Sequence, residues 1–291
     1  MTHLETFLHQ SDNLPSLPEI YIRVSDLLDD EQSSARQIGD AVQTDLSLTS
    51  RVLKIVNSAY YGIPAEVTSV AQAVSMLGRD QLRHILLGSV LTAVFAEYAV
   101  EDFPIHDFWR HSIRTAIMAR HLAMQNVNIL DHEAFFTAGL LHDIGRLVMA
   151  QVDREGLRRV EHRLQQVGGN PGDADRHIFG FSRADLGAAI LEHWQMPTLL
   201  IQCVAGHLNI DHRGPLKIET AIVYLAHRLS RFPLAVDEEE MAEILETIPN
   251  WQQADCGVDL IYIACQLADE QELGVMESFG MNDLEIDDEL F

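Results

Sequence analysis

Apolar residues in this chain recur three and four positions apart in segment after segment, and no stretch alternates with the period of two that a half-buried strand requires. That pattern predicts an all-α fold. SSARQIGDAVQTD (33–45) reads as a short amphipathic helix. LSLTSRVLKIVNSAYYG (46–62) follows, with Leu48, Val52, Val56 and Tyr60 on one stripe and Gly62 and Pro64 as its stop. Ser69 and Gln72 have capping-box spacing and open TSVAQAVSMLG, which Gly78 closes. Asp80 is a candidate cap for a helix running to about residue 99, with Leu82, Ile85, Leu86, Val90 and Val94 as its buried face. EDFPIHD (101–107), with a proline among acids, breaks the pattern and marks a subdomain boundary.

Downstream come DFWRHSIRTAIMARHLAMQ and then HEAFFTAGLLHD, the latter capped by Asp131. GGNPGDAD (168–175) reads as a polar, glycine-rich loop. GAAILEHW and TLLIQCVAGHL are split by Met196–Pro197, and IETAIVYLAHRLSR, EEEMAEILETI and one or two closing helices follow. The predicted division is residues 1–103, residues 104–281 and an acidic mobile tail at 282–291. The DEEE run (237–240) reads as a solvated helix start. Trp109 and Trp194 read as core residues.

A net charge of −24 repels phosphate backbones and anionic lipid heads, which argues against direct nucleic-acid or membrane binding. Cys203, Cys256 and Cys265 have no CxxC spacing, which suits a reducing cytoplasm. The N-terminus has neither the basic start nor the apolar run of a signal peptide. The longest apolar stretch, near 85–100, is broken by Ser89, Thr92, Glu97 and Tyr98 and reads as a buried helix.

Chemistry concentrates at LLHDIGRLVM (140–149), where His142 and Asp143 are adjacent. Neighbours on a helix point about 100° apart, so both reach one ion only at a helix end or bend. Gly145 supplies such a place, and His111 in the preceding helix is a candidate third ligand. Imidazole with carboxylate suits Mn, Fe, Zn or Ni ions. The competing reading is a hydrogen-bond network in which Asp143 accepts from His111 or Arg146 and ties helices together. Asn57–Ser58 reads as a structural pair that bonds back to backbone and sets the exit at Tyr61–Gly62.

LPSLPEIYIRV, TDLSLTSRVLKIVNSAYYG and TSVAQAVSMLG together resemble the HDOD family, the HD-related output domain of bacterial signalling proteins. The hallmarks map to Leu14–Pro18, Asp45–Tyr61 and Ala73–Gly78, and the resemblance spans roughly residues 10–230. It implies a small N-terminal helical bundle packed on an HD-like helical lobe, with an incomplete metal site and a regulatory role. The HD phosphohydrolase pattern is a histidine, a His-Asp pair and a distant aspartate. His111, His142 and Asp143 match its first parts, and the late position is His227. Where members with a second metal carry a further histidine this chain has Arg183, while the later His207 is retained.

The resemblance therefore implies a non-enzymatic output module acting on a signalling protein partner or a receiver or sensor domain, with a homodimer also allowed. No cofactor is required; His111, His142, Asp143 and His227 could hold a single divalent transition metal ion of vestigial kind. The alternative is a metal-dependent phosphohydrolase acting on a nucleotide or cyclic dinucleotide. A third reading is a nucleotide sensor that binds without hydrolysis.

Overall fold

Helix caps dictate most of the chain's punctuation. In a computed structural model, the protein is described at residues 3–10, 17–96, 103–209, 215–232 and 237–281. Among these residues run α1 (His3–Gln10), α2 (Glu19–Asp29), α3 (Ala35–Val42), α4 (Leu46–Val56), α5 (Val70–Leu77), α6 (Arg79–Ala96), α7 (Ile105–Ala123) and α8 (Glu133–Leu141). They are followed by α9 (Ile144–Val152), α10 (Arg154–Val167), α11 (Pro171–Phe179), α12 (Arg183–His193), α13 (Thr198–Gly206), α14 (Lys217–Leu229), α15 (Glu238–Glu246) and α16 (Val258–Ser278), with a 3-10 turn at Trp251–Ala254. The described residues contain no strand, as the period of the apolar pattern requires. The 282–291 tail, residues 101–102 of the 101–107 break and the start of the LPSLP segment lie outside the described residues.

Side-chain caps explain where helices begin. Ser34 and Gln37 form a reciprocal capping box at α3, and the Asp45 carboxylate accepts from Leu48 N–H (2.9 Å) at α4. At α5 only half of the expected box exists. Ser69 accepts from Gln72 N–H (3.2 Å), but the Gln72 side chain accepts from Thr68 N–H (3.1 Å) instead. Asp80 is not a cap: α6 already starts at Arg79, and Asp80 sits in the first turn, where the positive end of the helix dipole favours it. Gly78 precedes it at φ +86°, a conformation that suits glycine. Asp131 accepts from Ala134 N–H (3.2 Å) and so satisfies an orphan donor of α8.

Two expectations about extent need correction. α4 ends at Val56, so Tyr60 lies beyond the helix rather than on its stripe. Asn57 stands at the C-cap and its amide joins the helix end to a distant strand of loop. Its Nδ2 donates to Leu53 O (2.9 Å) and Val67 O (2.8 Å), and its Oδ1 accepts from Val67 N–H (2.7 Å). Ser58 donates only back to Ile55 O (2.7 Å). The segment 168–175 is not simply a loop: Asn170 caps α11, accepting from Gly172 N–H (2.7 Å), and Pro171 takes the first helical position.

The helices pack in two lobes. α2–α6 form the first, and α7 is the central rod of the second, lined by α8, α14 and α16. α7 and α8 approach so closely that a Cβ on Gly139 would stand 2.5 Å from Ala116 Cα. The lobes meet where α6 crosses α8. There the buried His84 ring bonds Asp131 (3.1 Å) through Nε2 and Thr137 (3.1 Å) through Nδ1. Beside it Glu133 accepts from Arg120, from Gln81 (3.2 Å) and from Tyr61 O–H (3.5 Å). Trp109 and Trp194 are both buried.

Asn57→Ala removes three hydrogen bonds and strands the buried Val67 N–H, so a loss of about 2–4 kcal/mol is expected in urea unfolding. Ser58→Ala should cost less than about 1 kcal/mol, because one helix-terminal bond is lost. Equal losses for the two would contradict the tie between the α4 end and Val67.

Candidate metal centre

A break between two helices puts His142 and Asp143 on one point. α8 stops at Leu141, His142 is its C-cap, and Asp143 (φ −106°, ψ 18°) leaves the helical region before α9 begins at Ile144. The bend is therefore at 142–143, and Gly145 does not make it. Gly145 lies inside α9, where a Cβ would stand 2.0 Å from the Arg183 carbonyl oxygen; only glycine lets α9 seat against the start of α12. α7 contributes His111, α13 ends in His207 at its C-cap, and α14 carries His227 in its last turn.

Three ring nitrogens form a tight triangle. His111 Nε2 lies 3.2 Å from His142 Nε2 and 3.2 Å from His227 Nδ1, and the last two are 2.9 Å apart. The ring of His207 stands 5.0 Å from that of His142 and 5.1 Å from that of His227, centroid to centroid. Burial pushes the pKa of His111 down to about 3, with the Arg231 charge adding to the shift. Burial also holds His142 and His227 well below the ordinary histidine value; nearby His207 adds to it for His142 and Arg231 for His227. The rings are neutral.

Their outer hydrogen bonds then fix where the lone pairs go. A carbonyl only accepts, so His142 Nδ1–H donates to Gly139 O (2.6 Å) and His207 Nδ1–H donates to Val204 O (2.7 Å). Ser230 O–H donates to His227 O (3.0 Å), so the Ser230 oxygen accepts from His111 Nδ1–H (2.9 Å). The Nε2 atoms of His111 and His142 are thereby acceptors. One proton on His227 Nδ1 satisfies at most one of them, and His207 Nε2, 3.8 Å from Asp143 Oδ1, is buried with no hydrogen-bond partner among the described residues.

Asp143 sharpens the imbalance. It is 1% exposed, and neither carboxylate oxygen has a hydrogen-bond partner among the described residues. Burial works to raise its pKa, but the Arg183 guanidinium holds the carboxyl well below its usual range. An ionised carboxylate and the Nε2 lone pairs of His111 and His142 thus share a buried space short of donors. Outer hydrogen bonds that fix the tautomer are the usual support of metal-ligating histidines. Nitrogens bound at about 2.0–2.1 Å to one ion, roughly at right angles, stand about 3 Å apart, as the triangle does. The residues fit one transition metal ion, which His111, His142 and His227 would hold, with Asp143 and His207 adjoining; it would act as a Lewis acid and charge balance.

The network alternative fails on its named bonds. Asp143 accepts from neither His111 nor Arg146: Arg146 pairs with Glu161 (2.8 Å). Arg183 does not fill the space among the histidines. It is held by Asp175 through Nε (2.8 Å), Nη2 (2.9 Å) and its own backbone N–H (3.0 Å), while Nη1 stands 3.8 Å from Asp143 Oδ2. It borders the carboxylate edge on which a second ion would depend. Two like unit charges about 4 Å apart repel by about 4 kcal/mol at an effective dielectric of about 20, and a dication doubles that.

Four residues at this site were not singled out in the sequence. Asp175 was hidden in a segment with loop composition, and Ser230, Glu161 and Arg231 look like ordinary polar helix residues. The spacing of Ser230 three residues after His227 is the one signal that could have found it.

Comparison with known proteins places the fold. The HDOD domain model matches residues 14–210. A curated, uncharacterized protein of Treponema pallidum (strain Nichols) is 24% identical over 205 residues, which are 69% of this chain and 39% of that one. The chain thus spans about two fifths of the curated relative's length. An HDOD domain protein of unknown function from Geobacter sulfurreducens has the same fold, with TM-score 0.72 and 22% identity over 98% of this chain and 97% of that one. A candidate phosphohydrolase of Shewanella amazonensis SB2B gives TM-score 0.75 and 24% identity over 94% and 97% of the two chains.

Metal-free protein should lose stability as pH falls below about 6.5, before ordinary carboxylates titrate. The sign follows from the depressed histidines: the unfolded chain takes up protons that the folded chain refuses. Each refused proton costs about 1.4 kcal/mol per pH unit, so three set an upper bound of about 4 kcal/mol per unit. Urea unfolding from pH 7 to 5 measures this, and a flat profile over that range would contradict the neutral, buried cluster.

Proposed function

The chain belongs to the HDOD domain family, and on that premise we propose that it works as a regulatory output module of bacterial signalling that hydrolyses no phosphoester. It passes a state change to a protein partner through its helical surfaces, and the input comes from a receiver or sensor domain. The curated relative's greater length accords with such modules working beside other domains. The lobe division near residues 103–104 is part of this proposal, as is a cytoplasmic setting; no helix among the described residues is long and apolar enough to cross a membrane.

The observation that carries the reading is Arg183. Two-metal phosphoester hydrolysis needs a pair of cations about 3.5–4 Å apart, clamping the attacking and leaving oxygens. Here a guanidinium fixed on Asp175 faces the free edge of Asp143, and His227 supplies nitrogen where the superfamily pattern has a carboxylate. The histidine triangle then serves as a one-ion structural centre that ties α7, α8 and α14 together.

The second reading, a one-metal phosphohydrolase acting on a nucleotide or cyclic dinucleotide, draws on the same histidine triangle. An assay separates the two. Protein loaded in turn with Mn, Mg, Fe or Ni should release no product from phosphodiesters or phosphomonoesters above the protein-free blank. Turnover that His142→Ala abolishes and a surface substitution leaves intact would establish the enzyme instead.

A further inference from the structure

Beside the histidines lies a cavity of about 410 Å³ that receives side chains from five helices and from the turn after α14. Its volume is within the roughly 300–1,000 Å³ range of small-molecule sites. Three arginines line it: Arg146 from α9, Arg183 from α12 and Arg231 just past α14. In a chain with 20 Lys and Arg against 44 Asp and Glu, three guanidinium groups on one small cavity are a marked local concentration. His111 and Ser230 border it, and Glu161 is the one carboxylate on its lining.

The three arginines are not equally engaged. Arg183 spends Nε and Nη2 on Asp175, but Nη1 has no oxygen within hydrogen-bond range; its nearest carboxylate oxygen is 3.8 Å away. Arg146 donates through Nη2 to Glu161 (2.8 Å), while its Nε is buried and unpartnered. The Arg231 side chain makes no ion pair or hydrogen bond among the described residues, and the residue is exposed at the cavity's edge. Donors of Arg183 and Arg231 therefore remain for a guest, and Arg146 joins them when Glu161 gives way.

We propose that this cavity binds the phosphate dianion of a small molecule, held by Arg146, Arg183 and Arg231 without hydrolysis. The inference deepens the regulatory reading and rests on it: it names the class of ligand that would bias the module. A planar carboxylate presents two oxygens in one plane, a poor match to three guanidinium groups that arrive from three helical segments. A tetrahedral phosphate presents enough, and guanidinium suits it in geometry and charge. The cavity also has room for more than the phosphate itself. Glu161 opposes an anion, but it is partly exposed and can turn outward when phosphate takes over Arg146.

Calorimetric titration of the purified protein with inorganic phosphate, AMP, cyclic AMP and adenosine tests this. Phosphate and AMP should bind, cyclic AMP more weakly because it is a monoanion, and adenosine not at all. Arg231→Gln, at an exposed residue with no partner to lose, should weaken binding about ten- to a hundredfold, the effect of one charged hydrogen bond. Arg146→Gln should weaken it similarly, and Arg36→Gln on the far surface of α3 should change nothing. Equal affinity for phosphate and AMP assigns free phosphate as the ligand, and tighter AMP assigns an organic monoester; both uphold the site. No binding of either, binding of adenosine as tight as AMP, or affinity indifferent to both cavity substitutions would overturn it. Phosphate release from AMP would instead overturn the non-hydrolytic reading and leave the site standing.

Discussion

A buried carboxylate surrounded by acceptors is the constraint on which this structure turns. Asp143 is ionised and out of solvent, yet no N–H or O–H among the described residues lies within hydrogen-bond distance of it. An isolated charge in that position is expensive, and proteins tolerate it only when it is paired or coordinates a cation. Arg183 supplies part of the balance from 3.8 Å, too far for a hydrogen bond. The Nε2 lone pairs of His111 and His142 crowd the same space. One cation among them answers both problems.

The rest of the fold serves that arrangement. The α8–α9 break turns two adjacent side chains to one point, which an unbroken helix cannot do. Gly145 lets α9 lie on the Arg183 backbone, which places the guanidinium against the Asp143 edge and the Asp175 fork. The carbonyls of Gly139 and Val204 and the hydroxyl of Ser230 set the tautomers. The same arginine that compensates the carboxylate leaves little room for a second ion, so the feature that keeps the site tolerable also removes the two-ion chemistry.

The all-helical architecture was legible because amphipathic period needs no tertiary information, and the caps Ser69 and Asp131 are local chemistry. α10 and α11 went unread for different reasons. α10 is polar on most of its surface, and α11 begins in glycine, asparagine and proline, whose composition marks a loop unless Asn170 is recognised as a cap and Pro171 as a first helical residue. Gly145 was read as a bend because a glycine two residues after a candidate site suggests one; its real task, close contact with a carbonyl 38 residues away in sequence, is invisible without the packing. His142 and Asp143 announced themselves as neighbours and His227 through a family pattern. Asp175 and Arg231 had no such signal, because what matters about them is which cavity or guanidinium they meet.

X-ray absorption at the metal edge of protein purified without chelator tests the central claim most directly. The account predicts one ion per chain with a first shell dominated by imidazole nitrogen and no metal–metal distance. A metal–metal vector at about 3.5–4 Å, the spacing of a hydrolytic pair, or a shell without imidazole, would contradict it.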